Sequence, residues 1–136
     1  MGEQFQEIEH TADAAIRVWG RDLAELFANA ARGLAAQLAD EPGKVPSTVE
    51  QTVELEAYDA ETLLVAWLGE LLYLSEREGC VFTGFEMSEV TPTRLRAVAR
   101  GGPARERRRY VKAATFNDLK IVRTDEGYET TVVFDV

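Results

Sequence analysis

One cysteine and one histidine are all that this 136-residue chain contains of those two residue types. Cys80 alone cannot close an internal disulfide, and one thiol with one imidazole cannot build a structural zinc site. A Ser/His/Asp or Cys/His nucleophilic set would need His10 as its only base, and nothing local supports that reading. Cys80 follows a helix stop and begins an apolar stretch, which suits a small buried hydrophobe. The chain has no repeat and no low-complexity tract, and only four prolines. No apolar run approaches the roughly 18 residues of a membrane span. The opening MGEQFQEIEH lacks a basic flank followed by an apolar stretch, so no signal peptide is expected. Gln6 stands where a myristoylation motif needs Ser or Thr. The expectation is one cytoplasmic domain over residues 1–136, with no membrane partner and a core large enough to need no staples.

What is abundant is negative charge, and it is unevenly spread. The net charge is −9. Residues 1–90 hold 5 basic and 18 acidic side chains, whereas residues 91–136 hold 10 basic and 6 acidic ones. The basic excess lies between Arg94 and Lys112. The overall charge argues against a nucleic-acid footprint covering the whole surface. A dipolar molecule can instead meet a basic partner on one side and an anion on the other.

Two segments carry a helical period. In DLAELFANAARGLAAQLAD, Asp22 is a good N-cap and Glu25 completes a capping-box-like pair. Leu23, Leu26, Phe27, Ala30, Ala31, Leu34 and Leu38 fall on one stripe. Gly33 weakens the helix slightly, and EPGKVPS ends it. In DAETLLVAWLGELLYLSEREG, Asp59 caps the start and Gly79 suits a left-handed stop. Leu63, Leu64, Trp67, Leu68, Leu71 and Leu72 supply its apolar face. Elsewhere the period is two. VEQTVELEA predicts a half-buried strand with an acidic outer face. VFTGFEM, RLRAVAR, YVKAATF, LKIV and YETTVVF read as further strands, with EVTPT and RTDEG as hairpin connections. The predicted class is α+β, a two-layer sandwich of a mostly antiparallel sheet with both helices on one face.

Three places hold candidate chemistry. HTAD, ending in Asp13, precedes an apolar strand. The last strand finishes VVFDV, with Tyr128, Thr130, Val132 and Phe134 on one side and Glu129, Thr131, Val133 and Asp135 on the other. The Asp135 carboxylate therefore sits beside the terminal oxygens of Val136. If the early and last strands bring Asp13 to this end, three hard oxygen donors converge. Such a set suits Mg²⁺, Ca²⁺ or Mn²⁺ and not zinc. The third place is RGGPARERRRYVKAATFNDL. Most of its arginines read as a solvated loop. Lys112 lies inside a strand between Val111 and Ala113, which holds it more firmly and makes it a functional candidate near carboxylates or phosphate.

Taken together, HTAD with the following strand and helix, the Asp59–Leu74 pattern D-x-E-x-L-L-x-x-W-L-x-E-L-L-Y-L, VKAATFNDL and the terminal VVFDV resemble the archease family over nearly the whole chain. The resemblance implies a strand-helix-strand-strand module with an inserted segment. It implies no enzyme, but an activator of the tRNA-splicing RNA ligase, which joins RNA ends through a histidine guanylylated by GTP with divalent metal. An archease promotes that guanylylation and repeated turnover, so GTP enters through the partner ligase and tRNA only indirectly. By motif, Asp13 and Asp135 would be metal ligands, Val136 would add an oxygen, and Lys112 would be activity-linked. The chain departs from the family pattern at Asn117, where many relatives have histidine, and in the Gly101-Gly102 and arginine loop. The alternative reading is an RNA-binding or chaperone module acting through residues 94–112, with RNA affinity that falls steeply with salt. A small metal-dependent hydrolase ranks last, because no general base with a supporting partner can be named.

Overall fold

The computed structural model describes residues 4–8 and 14–136. Along the chain run β1 (Phe5–Ile8), β2 (Ala14–Gly20), α1 (Leu23–Leu38), a 3-10 turn (Pro42–Lys44), β3 (Val49–Glu56), α2 (Ala60–Glu78), β4 (Val81–Val90), β5 (Arg94–Gly102), β6 (Ala113–Thr115), β7 (Val122–Thr124) and β8 (Gly127–Asp135). Both helices start where their caps dictate. Asp22 accepts from the Glu25 N–H at 2.8 Å, and Asp59 from the Thr62 N–H at 2.8 Å. The Glu25 carboxylate reaches back one residue further than a capping box would, to the Arg21 N–H at 2.8 Å. Gly79 ends α2 with φ of 63°, a left-handed geometry that costs glycine nothing.

Every pairing between the described strands is antiparallel, in the order β1-β2-β8-β6 with β7 also on β8, and separately β3-β5-β4. The α+β class with antiparallel pairing is therefore as read from the sequence. The strands, however, divide into two sheets where one was expected. The consequence is visible on α1, which packs on β2 of the larger sheet and on β4 of the smaller one. A helix against one sheet buries one stripe. Helix α1 buries that stripe and also Ala28, Asn29, Ala35 and Gln37. Ile16, Val18, Val132 and Phe134 from the larger sheet, Val53, Leu95, Ala97 and Ala99 from the smaller, and both helices enter one buried cluster.

Strand β1 carries no clear alternation, and its pairing with β2 supplies the reason it is extended. The predicted YVKAATF strand shortens to Ala113–Thr115, and LKIV shifts to Val122–Thr124. Two contacts explain this. A turn closes with the Leu119 N–H on the Phe116 carbonyl at 3.0 Å, with Asp118 at φ of 58°. The Ile121 N–H then donates to the Glu61 carboxylate on α2 at 3.1 Å instead of to a strand.

Two helical glycines make a paired test. A Cβ on Gly33 would collide with Cδ1 of Ile16, whereas one on Gly69 would meet nothing within 4 Å. Gly69→Ala is expected to raise stability by about 0.5–1 kcal/mol through helix propensity. Gly33→Ala is expected to lower it by about 1–3 kcal/mol through overpacking. Urea unfolding of both variants checks the opposite signs; a stabilising Gly33→Ala would mean that the end of the Ile16 side chain turns aside to admit the methyl group.

Candidate functional site

Strand β8 is the centre of the larger sheet. On one side it pairs with β2, with Ala14 opposite Phe134. On the other it pairs with β6, with Ala113 opposite Asp135. The start of β2, the end of β8 and the start of β6 thus lie side by side. Phe134 faces the core and is fully buried, and the alternation turns the half-buried Asp135 to the opposite face. Val136 follows, exposed.

Lys112 stands one residue before β6 and not inside a strand as read from the sequence, because the pairing with β8 begins at Ala113. Its N–H donates to the Asp135 carbonyl at 2.7 Å, while the residue itself is exposed. The structure therefore brings Lys112, Asp135 and Val136 together. Asp13 and His10 lie outside the described residues. Among the described residues, no three His, Cys, Asp or Glu side chains are grouped to hold a metal. Asp135 and Val136 offer oxygen donors only, which fits a hard divalent cation in kind; the number of ligands such an ion needs has to come from further groups.

The basic segment sorts into two kinds of arginine, which the sequence did not separate. On the outer face of the smaller sheet, Glu50 lies opposite Arg100 and Glu54 opposite Arg96. Arg96 pairs with Glu54 at 3.2 Å, and Arg100 with Glu50 at 2.9 Å and Glu86 at 3.2 Å. These two cations are already partnered. Residues 106–108 form a strap across the end of α1: the Asp40 N–H donates to the Glu106 carbonyl at 3.1 Å and the Arg108 N–H to the Leu38 carbonyl at 2.9 Å.

Arg108 is not a solvated loop residue. Its guanidinium donates to the Glu7 carboxylate at 2.9 Å and to the Ala36 carbonyl at 3.1 Å. The last turn of α1 has no basic residue of its own, and Arg108 supplies the cation that the C-terminal dipole favours. That missing cation was the only hint available in the sequence, since Glu7 and Arg108 are 101 residues apart.

The hydrogen bond from Arg108, more than its charge, holds the Glu7 carboxyl below its ordinary value of 4.5. A carboxyl lowered on folding contributes stability above its unfolded value, and that contribution is lost as pH falls through the folded value. Arg108→Gln is expected to cost about 1–2 kcal/mol at pH 7, discounted because both groups are partly exposed. The cost should shrink below about pH 4. Urea titrations of both proteins at pH 7 and pH 3.5 check this; an equal cost at both would remove the ion pair as the cause.

Cys80 is buried among apolar groups, and desolvation pushes its thiol up from the ordinary value. It behaves as the small hydrophobe expected, not as an activated nucleophile. No described helix is long and apolar enough to cross a membrane.

The arrangement can be set beside known proteins. The description Archease protein family matches residues 5–136. A protein named archease from Methanosarcina acetivorans is 35% identical over 143 residues, covering 99% of this chain and 97% of that one. One from Saccharolobus islandicus is 39% identical over 137 residues, covering 97% and 98%. The solution structure of a Methanobacterium thermoautotrophicum protein superposes with a TM-score of 0.80 at 31% identity, covering 98% of this chain and 99% of that one. The crystal structure of a Thermotoga maritima protein described as an archease and possible chaperone shares the fold, with a TM-score of 0.67 at 23% identity over 96% of each chain. With the match spanning β1 to the last residue and these relatives covered almost end to end, the chain belongs to the archease family.

Proposed function

We propose that this protein is a cytoplasmic accessory factor, not itself an enzyme, that activates the GTP-dependent tRNA-splicing RNA ligase by promoting its guanylylation and repeated turnover. The observation that carries the reading is the end of β8. There the family's terminal aspartate, Asp135, and the lysine of its V-K-A-x-T motif, Lys112, are joined by a main-chain hydrogen bond of 2.7 Å. Main chains anchored to each other at these two residues fix where both side chains start, which favours placing charge against a reacting phosphate.

Asp135, an oxygen of Val136 and Asp13 would hold Mg²⁺, Ca²⁺ or Mn²⁺ at this end, and such an ion supplies neutralisation of phosphate charge when bound. Lys112 contributes a positive group anchored through its main chain beside the same end of the sheet, suited to the phosphates of the GTP that the ligase holds. The buried Phe134 anchors Asp135 from below, so the tip cannot drift relative to β2 and β6.

The test mixes the purified ligase, GTP and divalent metal with and without this protein. Covalent labelling of the ligase by GTP should be faster in its presence, and ligation should pass from a single turnover to many. Equal labelling and equal turnover in both mixtures would end the proposal.

A further inference from the structure

We propose that residues 105–112 form a track for single-stranded RNA that leads to the Asp135 end of the molecule. The observation is the division of the basic segment. Arg96, Arg100 and Arg108 are spent on Glu54, Glu50, Glu86 and Glu7. Arg105, Arg107, Arg109 and Lys112 form no ion pair with any described residue. All four lie on the strap that crosses the end of α1 and enters β6, and Glu106 is the one acidic residue among them. The strap is held to the scaffold by backbone bonds at Glu106, Arg108 and Lys112, so the main chain that carries the four cations follows a fixed path and is not a loose tail.

Two exposed aromatics belong to the same stretch. Tyr110 is 66% exposed, two residues before Lys112, and Phe116 is 57% exposed at the far end of β6. An aromatic ring left in water is a cost without a ligand, whereas beside a row of cations it is a platform for a base whose phosphates the cations neutralise. Stacking is open to any unpaired base but not to a closed duplex, which selects a single strand. Of the acidic groups at the strap, Glu7 is taken up by Arg108, which leaves Asp40 and Glu106 against the four cations. The choice of RNA over other polynucleotides rests on the ligase reading above; the strap then presents the RNA beside the tip that serves its ligase.

The experiment uses this protein alone and a fluorescein-labelled single-stranded RNA dodecamer, followed by anisotropy. The wild type is expected to bind at 50 mM salt and to weaken about 50-fold by 200 mM, the slope for four phosphate contacts on a single strand. The combined variant Arg105→Gln, Arg107→Gln and Arg109→Gln should bind at least tenfold more weakly, with its salt slope reduced to about a quarter. Arg105→Gln alone should reduce the slope by about 0.7. Tyr110→Ala should weaken binding about tenfold without changing the slope. Arg96→Gln with Arg100→Gln should stay within twofold of the wild type. Absence of binding at 50 mM salt, or equal binding by the combined variant, overturns the track. Guanylylation measured without RNA separates this proposal from the last. The combined variant should still stimulate it, and a loss there would assign the strap to an acidic surface of the ligase and overturn the RNA reading. RNA binding without any stimulation by the wild type would leave the track standing and remove the activator role.

Discussion

Replacing Asp135 by alanine is expected to reduce stimulation of ligase guanylylation to the level measured without this protein, with a melting temperature within about 2 °C of the wild type. The two halves of that expectation have separate causes. The carboxylate is half-buried on the face of β8 turned away from the core, so little packing is lost with it. The backbone of Asp135 keeps its place, because its pairing with Ala113 and the bond from the Lys112 N–H use main-chain atoms alone. What disappears is the charged oxygen pair at the tip. Asp135→Asn serves as the stricter variant, since it keeps shape and loses charge. Stimulation retained by both variants would remove the carboxylate from the mechanism, while a large fall in melting temperature would make Asp135 a structural residue.

Trp67→Ala is expected to cost about 3–5 kcal/mol, the range for deleting a buried indole. A domain of this size has only about 7–20 kcal/mol in total, so a sizeable part of the stability goes with one side chain. Trp67 is fully buried on α2 and meets the ring of Phe85 on β4 edge-on, with centroids 6.0 Å apart at 78°. Its indole N–H also donates to the Phe27 carbonyl of α1 at 3.0 Å. One residue therefore ties both helices to the smaller sheet. Trp67→Phe keeps most of the apolar contact but loses the hydrogen bond, and should cost about 1–2 kcal/mol. Urea unfolding followed by far-ultraviolet circular dichroism gives both values. Equal costs for the two variants would show that the hydrogen bond, not the packing, carries the effect.

The two classes of prediction differ in how far the sequence alone could take them. Trp67 was legible as a core residue because its neighbours Leu63, Leu64, Leu68 and Leu71 repeat at the helical period. Asp135 was legible because strand alternation by itself places it opposite Phe134. Arg108 was not. It looked like its neighbours Arg107 and Arg109 in a charged loop, and only the arrival of Glu7 and the end of α1 from elsewhere in the chain distinguished it.

What the sequence determined by itself was local. Capping at Asp22 and Asp59, the stop at Gly79 and the pattern of inward and outward residues on β3 and β8 depend on groups within a few residues of each other, and those groups are neighbours in any conformation of the chain. Tertiary structure alone decided the rest: the division of the strands into two sheets, the burial of α1 on both sides, the shift of β7 by the Glu61 carboxylate, and which arginines are taken up by carboxylates. Each of these depends on partners dozens of residues apart. Their meeting is set by how two apolar faces close over the helices, a condition that no window of neighbouring residues contains.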